Sequence, residues 1–239
     1  MNILITGASR GLGRRLALAF GRAGHAVAVN YRSRQAEAET VVSEIQGQGG
    51  KAEAFQADVS DLPQAQALVD AVVRKWGRLD GLINNAGVTR DRTIAKMSLE
   101  EWRDVIDTNL SAPFYCLQSA ARHMTRDKGG FILNIGSIVG VKGGVGCANY
   151  AAAKAGLMGL TKAAARELGR FNIRVNGILP GFHLTEMGQQ IPVAHREKVV
   201  SEHALGRTTA VEDLERFVLS LSETLTVSGQ IFNIDSRVL

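Results

Sequence analysis

The chain holds only two cysteines, Cys116 and Cys147, in 239 residues, and neither sits at a metal-ligand spacing from other candidate ligands. That scarcity excludes a disulfide framework, and a reducing, cytoplasmic setting is expected. No stretch approaches the roughly 18–20 consecutive apolar residues that a membrane span requires. The opening run Met1-Asn2-Ile3-Leu4-Ile5-Thr6-Gly7 is too short for a signal peptide and lacks a basic flank. Basic runs of five or more are also missing, and Arg14-Arg15 is the densest pair, so no nucleic-acid patch is expected. Prolines number 4, and there is no repeat, low-complexity tract or linker. A chain of this length can bury a large core as one unit, so residues 1–239 are expected to form a single domain.

What is present is a net charge of +5 and a pattern of short apolar runs alternating with longer helical ones. The charge is either a solvated basic face or an attraction to an anionic partner, such as a phosphate-rich cofactor or an acidic carrier protein. Strand-like runs fall at Ile3–Thr6, Ala26–Asn30, Ala52–Gln56, Gly81–Asn84, Phe131–Ile135, Arg174–Leu179 and Gln230–Asp235. Helical spacing marks Leu12–Ala23, Gln35–Gln48, Pro63–Trp76, Leu99–Met124 as one extended helix, Tyr150–Phe171 and Val211–Leu221. Such alternation predicts an α/β fold, a seven-stranded parallel sheet with helices on both faces. In these folds ligands bind beyond the carboxyl ends of the strands.

Thr6-Gly7-Ala8-Ser9-Arg10-Gly11-Leu12-Gly13 follows the first strand and opens the first helix. Its glycines permit a tight turn and close approach to a pyrophosphate, and the helix N-terminus supplies free N–H groups. The spacing is G-x3-G-x-G, and a tight glycine turn without ligand is the alternative. The end of the second strand, Val29-Asn30-Tyr31-Arg32-Ser33-Arg34, carries no acid to accept from a ribose 2′-hydroxyl. Arg10 and Arg32 can instead fork onto a 2′-phosphate, which points to NADP(H). The alternative is that Arg32 and Arg34 are plain surface arginines.

Tyr150 and Lys154 stand at i and i+4 on one helix face. A neighbouring cation is expected to lower the phenol's pKa and make it an acid–base group. Ser137 ends the fifth strand, where its hydroxyl can bond a substrate oxygen. Asn84-Asn85-Ala86-Gly87 ends the fourth, Asp58-Val59 follows the third, and Asn109 lies inside the long helix, where its polarity serves no helical purpose. No metal site is read.

Taken together, TGASRGLG, ADV, NNAG, Asn109, Ser137, YAAAK and Pro180-Gly181 resemble the short-chain dehydrogenase/reductase family over nearly the whole chain. Within it, NNAGVTRD, ANYAAAKAGL and Ile173-Arg174-Val175-Asn176 look most like 3-oxoacyl-[acyl-carrier-protein] reductases. The resemblance implies a doubly wound Rossmann fold. It implies Tyr150 as acid–base, Lys154 to lower its pKa and hold the nicotinamide ribose, Ser137 to position the substrate oxygen, and Asn109 to hold a water in a proton relay. Gly7, Ser9, Arg10, Gly11, Leu12 and Gly13 would line the phosphates, Asp58 and Val59 the adenine, and Asn85, Ala86 and Gly87 the ribose. Pro180, Gly181 and Thr185 would flank the nicotinamide. It further implies a homotetramer built on the helices Leu99–Met124 and Tyr150–Phe171, with Ala155, Gly156 and Gly159 permitting close approach. An acyl carrier protein would be the partner, received by Arg126, Lys128 and Arg170 near the crevice.

The chain departs from that family twice. Asp235-Ser236-Arg237 replaces the usual glycine pair after the last strand, and His183 has no assigned role. A substrate loop is expected near 183–207, including His195 and His203. Three functions compete: reduction of a carrier-bound 3-oxoacyl thioester, the same chemistry on another carbonyl such as a sugar, polyol, quinone or coenzyme A ester, and a non-catalytic cofactor sensor. A sensor has no need of Asn109, Ser137, Tyr150 and Lys154 together.

Overall fold

Several strands are buried at every position rather than alternately. β2 (Ala26–Tyr31) is buried at all 6 of its residues and β6 (Ile173–Leu179) at all 7. A strand wet on neither face belongs in a sheet covered on both sides. The computed structural model describes residues 1–127, 129–183, 197 and 199–238. It places β1 (Asn2–Ile5), β2, β3 (Lys51–Gln56), β4 (Gly81–Asn84), β5 (Gly130–Ile135), β6 and β7 (Ile231–Asn233) in one seven-stranded sheet, ordered β3-β2-β1-β4-β5-β6-β7. All its pairings are parallel, with Ile3 opposite Val27 on one side and Gly81 on the other, and Gly81 opposite Phe131.

Side-chain alternation along β1 feeds two cores. Ile3 and Ile5 pack with Leu16 and Phe20 of α1 (Gly11–Arg22), Val41 and Ile45 of α2 (Gln35–Gly47) and Leu214 of α8 (Val211–Glu223). Leu4, on the opposite face, packs with Leu68 and Val72 of α3 (Leu62–Trp76), Cys116 and Met124 of α5 (Ala112–Arg126) and Leu168 of α7 (Ala148–Leu168). The doubly wound sheet expected from the alternation is the one observed.

Local chemistry sets the helix ends. The Asp61 carboxylate accepts the Gln64 amide at 2.9 Å to start α3, and Gly77, at φ 82°, turns the chain out of it. Ser98 and Glu101 form a reciprocal capping box that opens α4 (Leu99–Ile106). Arg174, buried in β6, donates to the carbonyls of Leu221 and Thr224 through Nη1 and of Ser222 through Nη2, closing the C-terminus of α8.

The helix expected over Leu99–Met124 is not uniform. Between α4 and α5 the residues Asp107–Ser111 form a π turn, and the Ala112 amide reaches back to the Asp107 carbonyl. The cause lies in Asn109, whose Nδ2 donates to the carbonyl of Val105 at 2.9 Å and to that of Val88 at 2.8 Å, so the side chain competes for the helix's own acceptor. Two short helical pieces carry no sequence signal: a 3-10 turn at Ile94–Lys96 and α6 (Val139–Lys142).

Gly81 shows how tightly the sheet is filled. A Cβ there would lie 2.4 Å from Cε1 and Cζ of Phe131 and 2.8 Å from Cδ1 of Ile3. Gly81→Ala is expected to lower unfolding free energy by about 1–3 kcal/mol through overpacking. Urea denaturation with an unchanged m value is the measurement, and parental stability would contradict the packing described.

Candidate active site

The segments leaving β1 and β4 are locked together at their carboxyl ends. Thr6 Oγ1 accepts the amides of Asn85 and Ala86, each at 3.0 Å, and Asn85 Nδ2 donates to the Thr6 carbonyl at 2.8 Å. Gly7, at φ +62°, has no room for a Cβ, which would fall 2.9 Å from Ala86 Cα. On the other side Asn30 Oδ1 accepts the Gly7 amide at 3.1 Å, and the Asn30 carbonyl accepts that of Ala8 at 2.8 Å. The phosphate loop is therefore held from β2 and from β4, with Leu12 packed partly against the core.

The loop ends on α1, which has no acidic residue in its first turn and no side-chain cap from Arg10 at its N-cap. Its N–H groups and positive dipole end are available to an anion. A crevice of about 610 Å3 opens there, lined by Ser9, Arg10, Gly11, Arg14, Arg34 and His183. Gly13 sits deeper, where a Cβ would meet Asn85 Nδ2 at 2.4 Å. At the outer end Arg32 lies 3.7 Å from the carboxylate of Asp58, which also accepts from the amide and hydroxyl of Ser60. Val59 beside it is buried. A backbone cradle, a basic rim and a carboxylate at the far end suit an anionic dinucleotide.

The second group of residues gathers after β5. The Ser137 hydroxyl accepts the Val139 amide at 3.2 Å and shares a hydrogen bond with Tyr150. Lys154 is 4% exposed, donates through Nζ to the Ile135 carbonyl at 2.6 Å, and lies 5.6 Å from the centre of the Tyr150 ring. Burial lowers its pKa to about 8. The Tyr150 phenol is raised above its ordinary value. Burial is the main cause, Asp91 and Cys147 act in the same direction, and the Ser137 hydrogen bond opposes them. Lys154, expected to lower this pKa, is not among the groups that act on it here. A phenol so placed stays protonated at neutral pH.

Asn109 is fully buried and spends its side chain on the segment after β4. Its Oδ1 accepts the Val88 amide at 3.2 Å, and a Cβ on Gly87 would fall 2.6 Å from that oxygen. The glycine of NNAG thus brings Asn109 and the β4 terminus together. Beyond β6, Gly181 at φ +84° packs where a Cβ would meet Thr209 Oγ1 at 2.5 Å, and His183 bonds the Pro180 carbonyl through Nε2. Burial lowers the His183 pKa. Leu12, Ala86, Pro180 and the other described members of the expected cofactor set therefore gather at the carboxyl edge of the sheet. Thr185, His195 and Lys128 lie outside the described residues.

Two further expectations change. Arg126 closes α5, and Arg170 sits in the turn Gly169–Phe171. Both precede strands whose first residues pair, Gly130 with Ile173, so they stand at the amino edge of the sheet, opposite the crevice. The six residues of β5 separate the two edges by roughly 20 Å. Gly156 is used within the chain, since a Cβ there would meet Leu110 Cδ2 at 2.9 Å, whereas Ala155 and Gly159 are exposed. The altered C-terminus also turns inward. Arg237 pairs with Asp235 through Nε at 2.7 Å, and Asp235 lies 3.6 Å from the buried His203.

Sequence reasoning missed Gly140 and Asn149. Gly140 lets α6 lie on α7, where a Cβ would come 2.8 Å from the Lys154 carbonyl carbon. Nothing in the spacing marks it. Asn149 precedes Tyr150 and is fully buried, and its only signal was a polar residue at a helix start.

The comparisons agree with this geometry. The short chain dehydrogenase family model matches residues 1–195. A 3-oxoacyl-[acyl-carrier-protein] reductase of Staphylococcus aureus is 42% identical over 234 residues, covering 97% of this chain and 95% of the relative. One from Synechocystis is 39% identical over 236 residues, covering 99% and 96%. A solved structure described as a short-chain alcohol dehydrogenase from Sinorhizobium meliloti superposes with a TM-score of 0.93 at 31% identity, covering 98% of this chain and 94% of that one. With the parallel sheet, the glycine cradle and the Ser137–Tyr150–Lys154 cluster in place, the chain belongs to the short-chain dehydrogenase family and is an oxidoreductase acting on CH–OH and C=O groups.

Proposed function

We propose that the chain reduces a 3-oxoacyl thioester carried on acyl carrier protein to its 3-hydroxyacyl form, with NADPH as reductant. The observation that carries this reading is the convergence of Ser137, Tyr150 and Lys154 beside a basic-rimmed phosphate loop, in a chain 42% identical across 97% of its length to a protein of that name. Gly7, Ser9, Gly11 and Gly13 would hold the pyrophosphate, Arg10 and Arg32 the 2′-phosphate, Asp58 and Val59 the adenine, Asn85 to Gly87 and Lys154 the riboses, and Pro180, Gly181 and Thr185 the nicotinamide. The bound nicotinamide supplies the hydride. Tyr150 then gives its phenolic proton to the substrate oxygen as that oxygen gains charge, while Ser137 donates a hydrogen bond to the same atom. With its side chain committed to Val88 and Val105, Asn109 would serve a proton relay through its π-turn backbone. A homotetramer would bury α4, α5 and α7; α4 carries exposed Leu99 and Trp102, and α5 exposed Phe114. The neighbour described as an alcohol dehydrogenase supports a second reading, the same chemistry on another carbonyl or alcohol.

Tyr150→Phe keeps the ring and removes the proton. Turnover is expected to drop by roughly 10²–10⁴-fold with the NADPH Kd within about twofold; a variant retaining a tenth of parental kcat would unseat Tyr150 as the acid.

Arg32→Asp sets a carboxylate opposite Asp58 at the proposed 2′-phosphate position. The ratio of kcat/KM for NADPH over NADH is expected to fall to one or below. Equal kcat/KM for the two coenzymes in the parent enzyme would already defeat the NADP assignment.

Reduction of a carrier-bound substrate is expected to lose kcat/KM as salt shortens the Debye length from about 10 Å at 0.1 M to about 3 Å at 1 M. A small neutral 3-oxo ester, assayed alongside, is expected to lose much less. Failure to reduce any carrier-bound substrate would leave only the second reading.

A further inference from the structure

We propose that Asn149 is a positioning residue, whose side-chain amide ties the 90–92 segment and the first turn of α4 to the turn of α7 that presents Tyr150. The inference rests on the reading of Tyr150 as the acid–base.

Asn149 is 0% exposed, and both atoms of its amide are engaged. Nδ2 donates to the Arg90 carbonyl at 3.0 Å and to the Glu101 carbonyl at 3.1 Å, while Oδ1 accepts the Tyr150 amide at 2.8 Å. Three segments distant in sequence thus meet on one side chain. The bond to Tyr150 also supplies an acceptor to an α7 first turn whose N-cap, Cys147, makes no side-chain cap. One direct link runs beside it, from the Arg92 amide to the Gly146 carbonyl at 2.8 Å. Behind the segment, Arg90 pairs with Asp104 at 2.8 Å and Arg92 with Glu101 at 3.0 Å. Those pairs are partly exposed, and such contacts hold position weakly. A buried amide stripped of its partners is costly, so the brace is hard to leave.

What the brace holds is chemically pointed. Between the two arginines lies Asp91, whose carboxylate adds to burial in raising Cys147, to which it is hydrogen-bonded, and Tyr150. The groups facing the phenol are Asp91 from the braced segment, Cys147 and Lys154 from its own helix end, and Ser137 from the end of β5. α4 continues into the turn that carries Asn109. One amide therefore ties the turn that presents Tyr150 to the segment carrying Asp91 and to α4, which leads into the turn that carries Asn109.

The experiment follows alcohol oxidation against pH in the full-length enzyme, with NADPH Kd and Tm measured in parallel. Asn149→Leu is expected to lower kcat at least tenfold while Kd stays within about twofold, and to move the rising limb, set by deprotonation of Tyr150, toward acid, since the Asp91 charge is no longer held to act on the phenol. Asp91→Asn should move the limb the same way, and the double variant no further than either single one. Asn149→Asp keeps the acceptor for Tyr150 but places a charge beside it, and should move the limb toward alkali. A parental kcat in Asn149→Leu, or a loss of kcat and Tm with an unmoved limb, overturns the proposal and leaves Asn149 a packing residue. Should Asn149→Leu not fold, Asn149→Asp decides alone, and an unmoved limb there overturns the proposal as well. Failure of the underlying reading is separately visible as surviving turnover in Tyr150→Phe.

Discussion

β1 and β4 lie side by side in the sheet, yet the chain leaves them toward opposite faces, β1 into α1 and β4 toward α4 and α5. Adjacent strands that diverge in this way open a gap at their carboxyl ends that no helix fills. Thr6 closes the floor of that gap by accepting from Asn85 and Ala86, and everything above it inherits its position from that one hydroxyl. The phosphate loop rises on one side, the NNAG segment on the other, and Asn109 is brought in because Gly87 leaves room for its amide oxygen. The site is thus a by-product of topology, furnished with side chains that tolerate the geometry.

Beneath the site runs a row of buried polar groups that orders the layers without touching a ligand position. Asn84 donates to Asn134 at 2.8 Å, Asn134 to Thr161 at 2.9 Å, and Thr161 to the Leu157 carbonyl at 2.8 Å. The chain links β4, β5 and α7, so the helix bearing Tyr150 and Lys154 is keyed to the strand that ends in Ser137. Satisfied buried networks specify one arrangement where apolar packing tolerates several. Lys154 shows the opposite bargain. Its ammonium is buried against a carbonyl and its pKa falls to about 8, a local loss kept where a charge is useful.

Much of this was legible in the sequence because it follows from period and punctuation. Continuous apolar runs gave the parallel sheet, glycines after β1 gave the loop, and the i, i+4 spacing put Tyr150 and Lys154 on one face. What escaped depends on contacts between distant segments. Gly140 matters because α6 lies on α7, and Asn149 because Arg90 and Glu101 converge on it; neither relation exists until the fold does. The basic pair Arg126 and Arg170 misled for the same reason. Sequence proximity to helix ends does not tell which edge of the sheet those ends occupy. The phenol's pKa was misjudged because spacing reveals the neighbouring cation but not the depth at which both groups are buried. Arg174 and Asn176, read as family markers, have structural work in binding α8 and the β7 approach.

The π turn at Asp107–Ser111 has a consequence for how the chain can change length. A π turn closes on the fifth residue rather than the fourth, so it accommodates one residue more than an α turn. That surplus is taken up without turning α4 against α5, whose buried faces meet different neighbours: Val105 near Asn109, and Cys116, Leu117 and Met124 against the sheet. Deleting a single residue here would restore a regular helix with α4 and α5 still in phase, but would close the widened turn from which Asn109 reaches Val88; the same deletion in a regular turn would rotate one half against the other by about 100°. Surface loops gain and lose residues freely, but in this stretch the count of residues is itself part of the active-site design, and helical regularity would be gained only by dismantling it.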